Sequence, residues 1–143
     1  MAGTTSNQPA DLAWLLKGLA QEVPAIGGSV LLSSDGMVKA RHGLDRTSLE
    51  YLAALTSGLF SISRSASTRF DNGTDVRQVV AELHSSQLSI SWAGFNSVLA
   101  VLAEGSADPA VIGFEMARLI KAVRPFLDTA PRPAPAAADD RMR

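Results

Sequence analysis

Asp71, Asp75 and Glu82 stand at positions 1, 5 and 12 of the frame in which calcium-binding loops present their oxygens. The frame fails at two points. Gly73 at position 3 brings no side-chain ligand, and Val76 at position 6 replaces the glycine that the sharp turn needs. Asp71-Asn72-Gly73 therefore reads as a plain turn. His42 and His84 have no partner at ligand spacing and the chain has no cysteine, so the three or four ligands of a zinc site are not assembled. The Gly27-Gly28 pair lacks the third glycine and the lysine of a phosphate cradle, and reads as a flexible lead into a strand. Serines are plentiful, but no G-x-S-x-G frame presents one as a nucleophile. Arg64 and Arg69 could be imagined as arginine fingers, yet within a helix they read as solvated charges. The chemistry these residues support is that of a surface: no enzyme, no cofactor and no metal is expected.

Composition agrees with that direction. A chain of 143 residues with no cysteine suits one domain that buries about two-thirds of its unfolded surface without a covalent staple. A net charge of -1 with only 19% charged residues argues against a nucleic-acid binder. No apolar run approaches the roughly 18 residues of a membrane span. The opening MAGTTSNQPA lacks the basic-then-apolar pattern of a signal peptide, so a cytoplasmic protein is expected. A hydrophobic share of 46% beside so few charges suggests that partners cover part of the surface.

Such a surface needs an element to carry it, and Thr47 to Phe70 is the candidate. It is free of proline and its apolar residues recur at helical spacing. Thr47 with Glu50 three residues on matches a capping box. One broad arc holds Leu49, Leu52, Ala53, Leu55, Leu59, Phe60, Ile62 and Ala66. A second stripe of small residues holds Ala54, Ser57, Gly58, Ser61 and Ser65. The arc is wide enough to cover a sheet and leave apolar edges over. The stripe would let another backbone approach closely.

Around it the chain reads in order. Residues 1–9 are polar and expected to be disordered. Asp11 to Glu22 is an amphipathic helix with Leu12, Leu15, Leu16 and Leu19 on one face. Ser29 to Ser33 and Met37 to His42 are strands joined at Asp35-Gly36, a tight-hairpin signal. After the long helix come three strands: Asp75 to Leu83, Gln87 to Ala93 with strict alternation, and Ser97 to Ala103. The last is apolar on both faces and so suited to the middle of a sheet. Trp92 reads as core, with an interface anchor as the alternative. Asp108 and Pro109 open a final helix that ends between Pro125 and Asp128. Residues 129–143 are rich in proline and alanine and read as a disordered tail. One domain over 10–128 is expected, in the α+β class and the order αββαβββα. Its five-stranded antiparallel sheet lies between the long helix and the two terminal helices.

The stretches DLAWLLKGLAQEVPAIGGSVLLSSDGMVKA and GLDRTSLEYLAALTSGLFSISRSAS, with the three-strand meander, resemble the roadblock / dynein light chain family over about residues 10–127. The similarity is greatest to its actinobacterial branch, associated with small Ras-like GTPases and a sensor-kinase-like protein. The resemblance implies a profilin-like fold and a non-enzymatic dimeric regulator or scaffold that binds such a GTPase and modulates its nucleotide cycle or location. It also implies a homodimer through the long helix and the third strand. Carried onto this chain, the dimer or partner interface is Tyr51, Ala54, Ser57, Gly58, Ser61, Ile62, Ser65 and Arg69 on the helix, with Val76, Gln78 and Val80 on the strand. Arg77, Gln78 and Glu82 make that strand rather polar, which could instead be protection of an exposed edge. A sensory module holding a small ligand in a profilin-like fold is the alternative reading.

Overall fold

A computed structural model describes residues 3–73 and 75–128. Its elements are α1 (Gly3–Glu22), β1 (Ile26–Ser33), β2 (Val38–His42), α2 (Arg46–Phe70), β3 (Gln78–Glu82), β4 (Ser86–Gly94), β5 (Ser97–Glu104) and α3 (Pro109–Asp128). This is the expected order αββαβββα, and all strand pairs are antiparallel. The strands lie in the order β2-β1-β5-β4-β3. The apolar β5 is central, with Val30 opposite Ala100 on one side and Ile90 opposite Ala100 on the other.

Alternation sorts the side chains into two cores. Val30, Leu32, Ile90, Val98 and Ala100 meet Leu49, Leu52, Ala53 and Phe60 of α2. On the other face Leu31, Leu99 and Val101 meet Leu16 and Leu19 of α1 and Ile112, Met116, Leu119 and Val123 of α3. The sheet is thus sandwiched as the pattern requires, since each of its faces presents an apolar row that water would otherwise wet.

Several boundaries move. Helix α1 begins at Gly3 rather than Asp11, so residues expected as a polar lead are part of the helix. The stretch 129–143 lies outside the described residues. β1 starts at Ile26, through the glycine pair. Gly28 is there for space: a Cβ on it would stand 2.4 Å from Leu44 Cγ, where the connector to α2 crosses the strand. β3 is shorter than expected, because pairing with β4 begins at Gln78 opposite Ser91 and leaves Asp75 to Arg77 outside the ladder. The β1–β2 turn is closed by Ser33, whose hydroxyl accepts from the Met37 N–H at 3.0 Å and donates to Asp35. It is tied to the β4–β5 turn by Ser34, whose N–H donates to the Asn96 carbonyl at 3.0 Å.

The α2 cap is Asp45, not Thr47. Its Oδ1 accepts from the Ser48 N–H at 2.7 Å, the role for which a short carboxylate one residue ahead of the helix is well placed. Hydrogen bonds from the Ser48 backbone, then its side chain, hold the Asp45 carboxyl below the usual carboxylate range. A carboxyl whose pKa falls on folding stabilises the native state above its unfolded value of about 3.9, and stops doing so as pH drops through the folded value. Asp45→Ala is therefore expected to lower the thermal midpoint at neutral pH, with a gap to the parent that narrows below about pH 3.9. Midpoints measured across that range check this; a gap of constant size would show that the charge plays no part.

Candidate interaction surface

The buried residues of α2 are Leu49, Leu52, Ala53, Thr56 and Phe60, all in its first part. Beyond Phe60 no residue of the helix is buried. Ile62 is 69% exposed and Phe70 83% exposed. Two causes act. Leu55, Ile62 and Ala66 lie on a side of the helix turned away from the buried row of Leu52, Thr56 and Phe60. Past Phe60 the helix also runs on: its 25 residues span about 37 Å, whereas β3 contributes only 5 residues to the sheet. The arc read from the sequence is therefore narrower in the folded chain: Leu55, Ile62 and Ala66 are exposed and Leu59 is half-buried. The arc omits Phe70, which is exposed as well.

At about 100° per residue, the exposed part of α2 divides into two flanks. Leu55, Leu59, Ile62 and Ala66 form one, large and apolar. Ala54, Gly58, Ser61 and Ser65 form the other, small. Tyr51, 68% exposed, and Arg69 lie on the crest between them. The small flank leans toward the β1–β2 turn: Ala54, Ser57 and Gly58 line a hollow of about 450 Å³ with Asp35, Gly36 and Val38. The stripe is thus approached partly by this chain's own turn. A Cβ on Gly36 would stand 3.7 Å from the Ser57 hydroxyl. Gly58 remains open, with nothing within 4 Å of a Cβ built on it. The apolar flank is turned the other way, toward the β3 side of the sheet.

Among the described residues β3 is an edge strand, with β4 as its one neighbour. Its faces differ from those expected. Val76 precedes the strand and is half-buried in the core under α2, with Val79 and Ala81. Gln78 and Val80 alternate with these and lie on the opposite face, where the Gln78 amide nitrogen comes 3.8 Å from a Cβ built on Gly113 of α3. The sequence-predicted set is therefore split. Tyr51, Ala54, Gly58, Ser61, Ile62, Ser65 and Arg69 share the outer face of α2, Ser57 is half-buried at its edge, Val76 lies beneath the helix, and Gln78 and Val80 lie across the sheet. Val80 is 43% exposed and Leu83, just past the strand, 60%. Trp92 is half-buried against the α2 core, so it serves mainly as core.

The residues with chemical potential are dispersed. Asp71 is the C-cap of α2 and Glu82 ends β3. His42 ends β2 and His84 follows β3, at opposite edges of a sheet about 19 Å across. Among the described residues no group of three or more His, Asp or Glu side chains could hold a metal ion. Arg64 lies over the Phe60 ring, 5.7 Å from its centre, a cation–π contact that lays it along the helix. Arg69 sits in the last turn, where a cation favours the negative end of the helix dipole. Burial lowers the pKa of Lys39 against the opposing attraction of Asp35, and its ammonium donates to the Ser97 hydroxyl at 2.6 Å. That contact braces β2 and is remote from the outer face of α2. Between the sheet and the α1–α3 layer, the space lined by Leu16, Leu31, Leu99, Leu119 and Val123 has no room for a water molecule. Among the described residues no helix is long and apolar enough to cross a membrane.

Comparison with known proteins agrees with this geometry. The family model of the Roadblock/LC7 domain matches residues 12–103. Comparison with curated protein sequences finds no match. Among solved structures, a Roadblock/LC7 domain from Streptomyces avermitilis is 56% identical, with a TM-score of 0.78 over 81% of this chain and 97% of its own. Myxococcus xanthus MglB shares the fold at 12% identity, with a TM-score of 0.78 over 88% of this chain and 94% of its own. Profilin II of Acanthamoeba castellanii shares it more distantly, at 14% identity and a TM-score of 0.54 over 76% of this chain and 92% of its own. The fold is thus shared with these structures, and the chain belongs to the Roadblock/LC7 domain family.

Proposed function

We propose that the protein is a non-enzymatic homodimeric regulator or scaffold of the cytoplasm that binds a small Ras-like GTPase. One observation carries the reading: α2 outruns its own sheet, with Leu55, Ile62 and Phe70 exposed on the side of the unpaired edge β3. A second copy related by a two-fold axis would place its β3 beside this one and its α2 along the apolar flank, so that both liabilities are covered at once. The two helices then lie side by side, with their crests and small flanks forming a platform that neither monomer has. Tyr51, Ala54, Gly58, Ser61, Ser65 and Arg69 would meet the GTPase there. The family resemblance supports a GTPase as that partner, and a sensor-kinase-like protein as a second. A small-ligand sensor is less well supported, because the core space lined by Leu16, Leu31, Leu99, Leu119 and Val123 is filled and the larger hollows are open at the surface.

The platform can be tested apart from the dimer. Gly58 has open space around it, so Gly58→Phe is expected to leave the fold intact. It should weaken the complex with a small Ras-like GTPase at least about tenfold, the scale on which one misplaced bulky side chain at an interface acts. Removal of residues 129–143 is expected to leave binding unchanged. Calorimetric titration of full chain, truncation and variant decides. Binding retained by Gly58→Phe but lost on truncation would move the docking element to the tail.

A further inference from the structure

The face of the sheet opposite α2 is only partly covered. Between α3 and the β3–β4 end of the sheet, a groove of about 670 Å³ stays open. One wall is a single stripe of α3, Gly113, Ala117, Lys121 and Arg124, whose spacing of three and four residues keeps them on one face. The other wall is Arg77 and Gln78 at the start of β3, and Ser91 of β4 lies between. The groove is therefore small and smooth at the Gly113 end and cationic at the Arg124 end.

Among the described residues Arg77, Lys121 and Arg124 line it and no Asp or Glu does. The ion pairs among the described residues are Arg46–Glu50 and Glu115–Arg118, so none of the three cations is engaged in one. Arg124 is also held in place. Its Nε lies 3.1 Å from where a Cβ on Gly94 would stand, so it rests against the β4–β5 turn through the space that the glycine leaves. A chain of net charge -1 thus concentrates three cations along one groove.

We propose that this groove docks an extended acidic peptide segment of a partner protein. The α3 stripe runs about 16 Å, the length of roughly five extended residues. Gly113 and Ala117 let a peptide backbone lie close, while Lys121, Arg124 and Arg77 face its carboxylates. A compact phosphate would engage only the Lys121 and Arg124 end and leave the Gly113 and Ala117 stretch of the groove empty. A long polyanion such as nucleic acid would meet the chain's net negative charge beyond the groove, whereas a short acidic segment feels mainly the three cations within a screening length of about 8 Å. The site lies on the other side of the sheet from the platform of α2, so one protein could hold both partners.

The test is fluorescence anisotropy of the full chain with a fluorescein-labelled peptide of about seven alternating aspartates and alanines, slightly longer than the groove. Saturable binding is expected, weakening at least about tenfold when salt is raised to roughly 0.5 M, where the screening length falls to about half of its 8 Å. The Lys121→Glu/Arg124→Glu variant should lose at least about tenfold. Ala117→Trp, which fills the groove without changing charge, should do the same. Gly58→Phe should bind the peptide as the parent does, whatever it does to the GTPase. Equal binding of the asparagine version of the peptide, unchanged binding in either groove variant, or tighter binding of an oligonucleotide of equal charge would each overturn the proposal. So would loss of the peptide in Gly58→Phe, which would deny the groove its independence from α2.

Discussion

Ile62→Asp is expected to weaken the proposed dimer strongly with almost no loss of fold stability. Ile62 is 69% exposed in the single chain, on the outward flank of α2. A surface change of this kind costs a folded monomer within about 0.5 kcal/mol, and aspartate and isoleucine differ little in helix propensity. In the proposed dimer the same side chain is buried against the partner's α2. Placing a carboxylate there removes the apolar contact and strands a charge, a loss of about 2–4 kcal/mol at a central interface position. The dissociation constant then rises about thirtyfold to a thousandfold. Sedimentation at micromolar concentration reads the assembly, and urea denaturation under dissociating conditions reads the fold. A variant that stays as tightly dimeric as the parent would remove the apolar flank from the interface and leave β3 alone to make it.

The second large effect is expected at Gly43, and it acts on the fold instead. Gly43 has φ +90, and a Cβ on it would stand 2.5 Å from the Gly27 carbonyl oxygen and 3.1 Å from the Gly28 Cα. Both obstacles are backbone, which has no rotamer to change. The left-handed conformation alone costs a side chain about 1–3 kcal/mol, and relieving the clash must move the start of β1 or the link into α2. Gly43→Ala is thus expected to cost about 3 kcal/mol or more, a large part of the roughly 5–15 kcal/mol that holds a typical domain. Gly58→Ala makes the contrasting control. With helical backbone and open space it should be neutral or stabilising, by up to about 1 kcal/mol. Urea midpoints with an unchanged slope would report both. Equal midpoints for Gly43→Ala and the parent would mean that the chain bends there at no cost.

Most of the fold is legible in the chain alone, and for a local reason. Element type follows from periodicity within a dozen residues, so the 3.6-residue rhythm of Leu12 to Leu19 and the two-residue rhythm of Leu88 to Trp92 are visible in the amino-acid order itself. The same holds for Asp35-Gly36 as a turn, for Asp108 and Pro109 as a helix start, and for Ser97 to Ala103 as the central strand, which needs apolar residues on both faces. Asp45 as the cap is an equally local signal, masked because Thr47 with Glu50 makes a competing box two residues on.

What only the tertiary structure decided depends on distance. That β1 pairs with β5, and so leaves β2 and β3 as the two edges, joins residues far apart in the chain, such as Val30 and Ala100. No local pattern encodes that choice. Nor could periodicity tell which apolar residues of α2 would be covered. Leu55 and Ile62 are as apolar as Leu52 and Phe60, but in the folded chain they point outward beside Tyr51, while Leu52 and Phe60 face the sheet. Gly28 reads as flexibility in the sequence, but Leu44 crosses where its Cβ would stand, so it serves as clearance. The cationic groove is the same lesson at its widest: Arg77 and Arg124 are ordinary charges in the sequence, and become a site because the sheet brings β3 and the far end of α3 to one edge.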